Sequence, residues 1–279
     1  MMSNYEEETE SKAKIIVLGI PFDQFSSFKR GQAKAPDKIR EALFNGSANL
    51  WSESGFDIGD ENAVFDAGDV DLSPERDVFE EIQLSVSNIY DNEKKPLLLG
   101  GDHSITYPII KSVAEYFPNL SILHFDAHPD LYDQYEGNKL SHACPFARIM
   151  EEGLADRIIQ VGIRTLNAHQ REQAERFGVE IIEMKEMHSG IELELSSPLY
   201  ISFDMDCLDP GFAPGVSHWE PGGMSTRQVI EIIQSISANV VGADIVEFNP
   251  DVESGMTAMV AAKIFKEIAG KILETDSSQ

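Results

Sequence analysis

The sequence predicts an α/β fold: a single three-layer α/β/α domain built on a mostly parallel, roughly eight-stranded sheet. Three observations carry this. Short apolar runs alternate with helix-like patterns along nearly the whole chain. The acidic and imidazole residues that stand out fall just after apolar runs, at the carboxyl ends of the strands those runs would form, where α/β sheets hold ligands. No internal repeat and no linker rich in Gly, Pro or Ser divides the 279 residues.

Taken in order, the acidic start MMSNYEEETESK reads as a disordered leader over 1–12, with one domain over 13–279. The run KIIVLGI is the first strand, too short and wrongly flanked for a signal peptide. Further β-rich runs lie near 63–67, 96–99, 120–125, 157–162, 179–183, 198–203 and 239–246. Continuous apolar runs of this length fit strands covered on both faces. Helical patterns fill most of the intervals, at 36–44, 74–90, 104–116, 145–153, 167–177 and 226–237, and a last amphipathic stretch covers 256–273. Two segments are irregular. Residues 129–144 have the length of an active-site loop, and 207–224, DCLDPGFAPGVSHWEPGG, are rich in Pro and Gly.

Composition narrows the function. With 22 basic and 48 acidic residues, the net charge is −26, which argues against nucleic acid or anionic membranes as partners. Most of these charges form a solvated surface, but together they would attract a cationic substrate. No apolar run approaches a membrane span. Cys144 and Cys207 are too few for a disulfide framework and read as packing residues in a reducing cytoplasm.

Three segments concentrate the chemistry. Gly100-Gly101-Asp102-His103-Ser104 follows PLLL, His124-Phe-Asp-Ala-His-Pro-Asp130 follows LSIL, and Phe203-Asp-Met-Asp-Cys-Leu-Asp-Pro210 ends SSPLYIS. Asp126, His128 and Asp130 alternate, as do Asp204 and Asp206, so each set can point one way from a strand end. Taken alone, Asp204 and Asp206 would also read as turn-forming acids ahead of Asp209-Pro210. Four carboxylates and two imidazoles in one place repel strongly without a cation. A pair of divalent ions is the simplest neutraliser, and an oxygen-rich set with two histidines favours Mn²⁺ over a zinc-only site.

These segments resemble the metal-binding motifs of the ureohydrolases, the arginase and agmatinase family. Weaker similarity extends from Val17 to Pro250. The resemblance implies an arginase-like fold, a trimer or hexamer of identical chains, and two Mn²⁺ per chain. One ion would be held by His103, Asp126, Asp130 and Asp204, the other by Asp126, His128, Asp204 and Asp206, with Asp126 and Asp204 bridging. A guanidinium carbon is a poor electrophile, so a hydroxide made available by two cations is the expected nucleophile. Asp130 would carry the proton to the departing amine. His142, on the irregular loop, matches the family's loop histidine, a proton shuttle or substrate contact. Glu247, ending VVGADIVE, would take the guanidinium in a two-pronged pair.

Within the family, the sequence points to agmatine, cleaved to putrescine and urea. The 130–142 loop resembles agmatinases and lacks the Ser-x-Asn-x-His stretch with which arginases hold the substrate's α-carboxylate. Its Asp133 and Glu136 would repel that group, and only Lys139 would attract it. The 207–224 and HACPF stretches depart from the agmatinase-like pattern. Arginase, guanidinobutyrase, formimidoylglutamase and aminopropylagmatine ureohydrolase stay open, as do a single-zinc deacetylase and a non-enzymatic metal-binding regulatory protein. His124 reads as a satisfied core residue one pleat deeper, His169 and His188 as surface residues, and His218-Trp219 as a stretch at the pocket mouth.

Overall fold

The computed structural model of the protein describes residues 10–187 and 193–276. Residues 1–9 of the expected leader, and His188, lie outside them. Eight strands form one sheet: β1 (Ile15–Gly19), β2 (Val64–Asp69), β3 (Lys95–Leu99), β4 (Ser121–Phe125), β5 (Arg157–Ile163), β6 (Glu180–Glu183), β7 (Leu199–Asp204) and β8 (Val240–Val246). Their order is β2-β1-β3-β8-β7-β4-β5-β6, and every pairing is parallel. The helices are α1 (Ala35–Phe44), α2 (Val78–Asp91), α3 (Thr106–Tyr116), α4 (Pro145–Glu151), α5 (Ala168–Phe177), α6 (Thr226–Ser235) and α7 (Met256–Asp276). None of the described helices is long and apolar enough to cross a membrane.

Side-chain alternation along the strands builds two cores. Leu97, Leu99, Phe125, Phe203 and Ile245 share one with Ile39 of α1, Val229 of α6 and Ile264 of α7. Leu98, Ile122, Tyr200 and Val241 share the other with Val86 of α2, Ile109 of α3 and Phe146 of α4. The central strands are therefore sealed on both faces, which is why they read as unbroken apolar runs. The edge strands carry the charges instead: Asp66 and Asp69 on β2, Glu180 and Glu183 on β6.

Two boundaries differ from expectation. The helix expected over 74–90 starts at Val78, because the Asp77 carboxylate accepts the N–H groups of Phe79 and Glu80 and so caps it. The helix expected over 104–116 is preceded by a tighter 3₁₀ turn, His103–Ile105, before α3 begins at Thr106. That turn sets His103 at the sheet edge.

Register brings the motifs side by side. Phe125 pairs with Phe203, Asp204 with Val246, and Leu99 with Ile245, so the carboxyl ends of β4, β7, β8 and β3 lie level in adjacent strands. The chain leaving β3 runs hard against the segment after β1. A Cβ on Gly101 would stand 1.7 Å from the Phe22 carbonyl oxygen, so only glycine fits there.

Candidate metal centre and active-site cleft

The six residues expected as ligands meet at this edge. Nδ1 of His103 lies 3.2 Å from Asp126 Oδ2 and 3.1 Å from both Asp130 Oδ2 and Asp204 Oδ2. Nδ1 of His128 lies 3.4 Å from Asp126 Oδ1 and 3.1 Å from Asp206 Oδ2. The carboxylates are steered by backbone amides: His128 N–H donates to Asp126 Oδ1 (2.6 Å), Ala127 N–H to Asp206 Oδ1 (3.1 Å) and Asp206 N–H to Asp204 Oδ1 (2.8 Å). His124, expected as a satisfied core residue, is fully buried and lies against Asp126 Oδ2 at 2.8 Å.

The cluster fits a cation on two counts. Nδ1 of His103 is buried and makes no hydrogen bond of good geometry, although three carboxylate oxygens surround it. The carboxyls also resist ionising together. Burial, with Asp206 and Asp126 nearby, raises Asp204 well above the usual carboxylate range. Burial and Asp126 lift Asp130 to about 6, and burial raises Asp206. Asp126 is the exception. Burial opposes its charge, but His124, His103 and His128 hold it well below the usual range. Two overlapping sets, His103-His124-Asp126 and Asp126-His128-Asp206, have ligand atoms close enough to share an ion.

The expected substrate residues flank the cluster. Glu247 and Asp130 both have left-handed backbones, φ 63° and 50°, a strained conformation for residues other than glycine. Glu247 Oε1 accepts the His103 N–H at 2.9 Å and lies 3.1 Å from His142 Nδ1, while Oε2 accepts Gln32 Nε2 at 2.8 Å. Burial alone would raise Glu247, but His142 outweighs it and holds the carboxyl at about 2. Burial alone would lower His142, but Glu247 lifts it to about 9. The other ring nitrogen of His142 is 2.8 Å from Ser27 Oγ.

The sequence profile of the Arginase family matches residues 13–270. The chain belongs to the arginase family. It is 50% identical over 280 residues to "Arginase 1, mitochondrial" of Arabidopsis thaliana, covering 94% of this chain and 82% of that one. It is 33% identical over 270 residues to an agmatinase of Bacillus cereus, covering 92% of this chain and 91% of that one. The solved arginase from Medicago truncatula superposes with a TM-score of 0.86 at 40% identity, over 97% of this chain and 92% of that one.

In this arginase-family chain, a cleft of about 170 Å³ opens over the acid–imidazole cluster, lined by His128, Asp130, His142, His218 and Glu247 and by Tyr132, Tyr135, Thr165 and Gln170. His218 lies at the mouth, stacked on His142 with ring centroids 5.3 Å apart, while Trp219 is half exposed and stacks with Lys29. Asp133 and Glu136, expected to repel a carboxylate, do not line the cleft. Arg148 donates to the carbonyls of Asp133 (2.7 Å) and Lys139 (3.2 Å), which ties down the 129–144 loop, while the Tyr132 hydroxyl accepts from Asn167 Nδ2 at 2.6 Å. His169, expected at the surface, is half-buried, stacks on Tyr132 and lies 3.2 Å from Asp133 Oδ1, and both cysteines are free and buried.

Sequence reasoning missed several contributors. Gln32 and Ser27 come from the segment after β1, which carries no motif, and no sequence signal marks them. Ser202 and Asp244 lie behind His103, and Asp102 accepts the N–H groups of Phe25 (2.9 Å) and Ser104 (3.1 Å). Asp244 left a trace: it is the one acid inside the apolar run of β8.

Proposed function

We propose that this chain is a binuclear manganese ureohydrolase that hydrolyses L-arginine to urea and ornithine. The observation that carries the substrate choice is the 50% identity to the Arabidopsis arginase against 33% to the agmatinase. The cleft supports it. Among the described residues, the acids lining it are Glu247 and three aspartates of the cluster, while Tyr132, Tyr135, Thr165 and Gln170 offer hydroxyls and an amide that suit an α-carboxylate. The repulsion expected of Asp133 and Glu136 loses its support, because neither lines the cleft.

His103, Asp126, Asp130 and Asp204 would hold one ion, and Asp126, His128, Asp204 and Asp206 the other; the oxygen-rich donor set favours manganese. When bound, the two ions supply an activated water as nucleophile at neutral pH and offset the repulsion among the carboxylates. Glu247 would hold the guanidinium. A carboxylate has about four acceptor positions, and three are already filled by His103, His142 and Gln32. A two-pronged guanidinium pair therefore requires His142 to swing away from Oε1. That movement would carry the imidazole toward the cleft, where it exchanges protons with the departing amine. Asp130, beside the cluster and facing the cleft, is placed to deliver a proton to the same nitrogen.

The test is urea release from arginine, agmatine and 4-guanidinobutyrate, side by side, with Mn²⁺. A kcat/KM for arginine below that for agmatine replaces arginine by agmatine and leaves the ureohydrolase reading intact. A homo-oligomer is part of this reading, checked by light scattering. The buried free cysteines fit either cytoplasm or an organelle interior, and fractionation distinguishes the two.

A further inference from the structure

Behind His103 lies a carboxylate with no assigned role. Asp244 sits within β8, fully buried, with Oδ1 accepting the Ser202 hydroxyl at 2.8 Å and Oδ2 accepting the hydroxyls of Tyr200 and Thr106, both at 3.1 Å. An ionised acid so deep is costly unless its lone pairs are filled, and three hydroxyl donors fill them here. Ser202 Oγ also lies 3.1 Å from Nε2 of His103.

The direction of these bonds follows from donor counting. A carboxylate only accepts, so the single Ser202 proton goes to Asp244. Ser202 can then only accept from His103, and the ring must carry its proton on Nε2. With a cation in place of a second ring proton, Nδ1 is left as the ligand atom, and Nδ1 is the atom that faces Asp126, Asp130 and Asp204.

We propose that Asp244, acting through Ser202, is a positioning residue that fixes the tautomer and ring orientation of His103 and so sets the affinity of one of the two metal sites. The proposal rests on the two-metal reading above. His124 is governed in the same way. Gln160 Nε2 lies 3.1 Å from its Nδ1, which directs the His124 proton to Nε2 and so to Asp126 Oδ2. Each buried imidazole of the cluster is thus aimed by a partner on its far side.

The experiment strips metal from the full-length protein and titrates Mn²⁺ back, reading free ion by electron paramagnetic resonance. The unaltered protein is expected to take two ions. Ser202→Ala, which removes one oxygen and leaves Asp244 its two other donors, should weaken one ion by about tenfold or more and spare the other. Asp244→Leu should do the same. In the zinc-loaded protein labelled with ¹⁵N-histidine, His103 should carry its proton on Nε2, and that signal should broaden in Ser202→Ala. Two ions bound with unchanged affinity in Ser202→Ala overturns the proposal alone, whereas a proton on Nδ1 of His103 in the zinc-loaded protein removes His103 from the ligand set and this proposal with it. Failure of the unaltered protein to bind two ions overturns the two-metal reading, and this proposal with it.

Discussion

Nδ1 of His142 lies 3.1 Å from Oε1 of Glu247, and both side chains are nearly sealed from solvent. The imidazole thus rests on the carboxylate that a guanidinium would need. Binding substrate and freeing His142 become one event. His142→Ala should lower kcat by roughly 10²-fold or more if the freed imidazole moves protons in the slow step. Steady-state kinetics decide it: an unchanged kcat with a raised KM makes His142 a binding residue.

The same pair gives a pH signature in the chelated protein. Glu247 lifts His142 to about 9, above the roughly 6.5 of an unfolded histidine. The folded state holds the extra proton, so this stabilisation is full below about pH 6.5 and is lost as pH rises through 9. Metal-free protein should therefore melt progressively lower between pH 7 and 9.5, and His142→Gln should flatten that slope. Parallel slopes in the two proteins would show that the pair is not the source.

His103 and Asp206 belong to different ion sites in the proposed assignment. His103→Ala and Asp206→Ala should each leave close to one manganese per chain with little turnover, since the nucleophile needs both ions. Elemental analysis beside the urea assay reads both. A variant that retains two ions and near-normal turnover removes that residue from the ligand set.

Gln170 is buried on the cleft wall, with Oε1 accepting the Leu131 N–H at 3.3 Å. That bond pins the amide, and among the described residues its nitrogen donates to nothing, which leaves it for substrate. A hydrogen bond to a charged group contributes about 1.5–3 kcal/mol. Gln170→Ala should therefore raise KM for arginine by about tenfold or more and leave agmatine nearly unaffected. Equal losses for both substrates would assign Gln170 to holding the loop instead.

The convergence of acids and imidazoles was legible because those residues come in short local patterns. Asp126, His128 and Asp130 alternate, as do Asp204 and Asp206, each directly after an apolar run, and local spacing suffices to group them. Substrate preference was not legible. Asp133 and Glu136 lie in the right loop, but neither faces the cleft, and the orientation of a side chain on an irregular loop has no periodic signal in the sequence. The extent of α2 was also misjudged at its start, because the capping of Asp77 onto Phe79 and Glu80 competes with a longer helical pattern.

By itself, the sequence determined a parallel α/β domain with its acids and imidazoles at the strand ends. Both follow from short-range periodicity and from the rule that a doubly covered sheet offers ligands only its edge. Only the tertiary structure decided which distant groups aim them. Gln32 and Ser27 reach Glu247 and His142 from the segment after β1, and Asp244 reaches His103 through Ser202 from a neighbouring strand. Those bonds join residues more than 40 positions apart. They exist because strand order places β3, β8, β7 and β4 side by side, and no local pattern encodes that order.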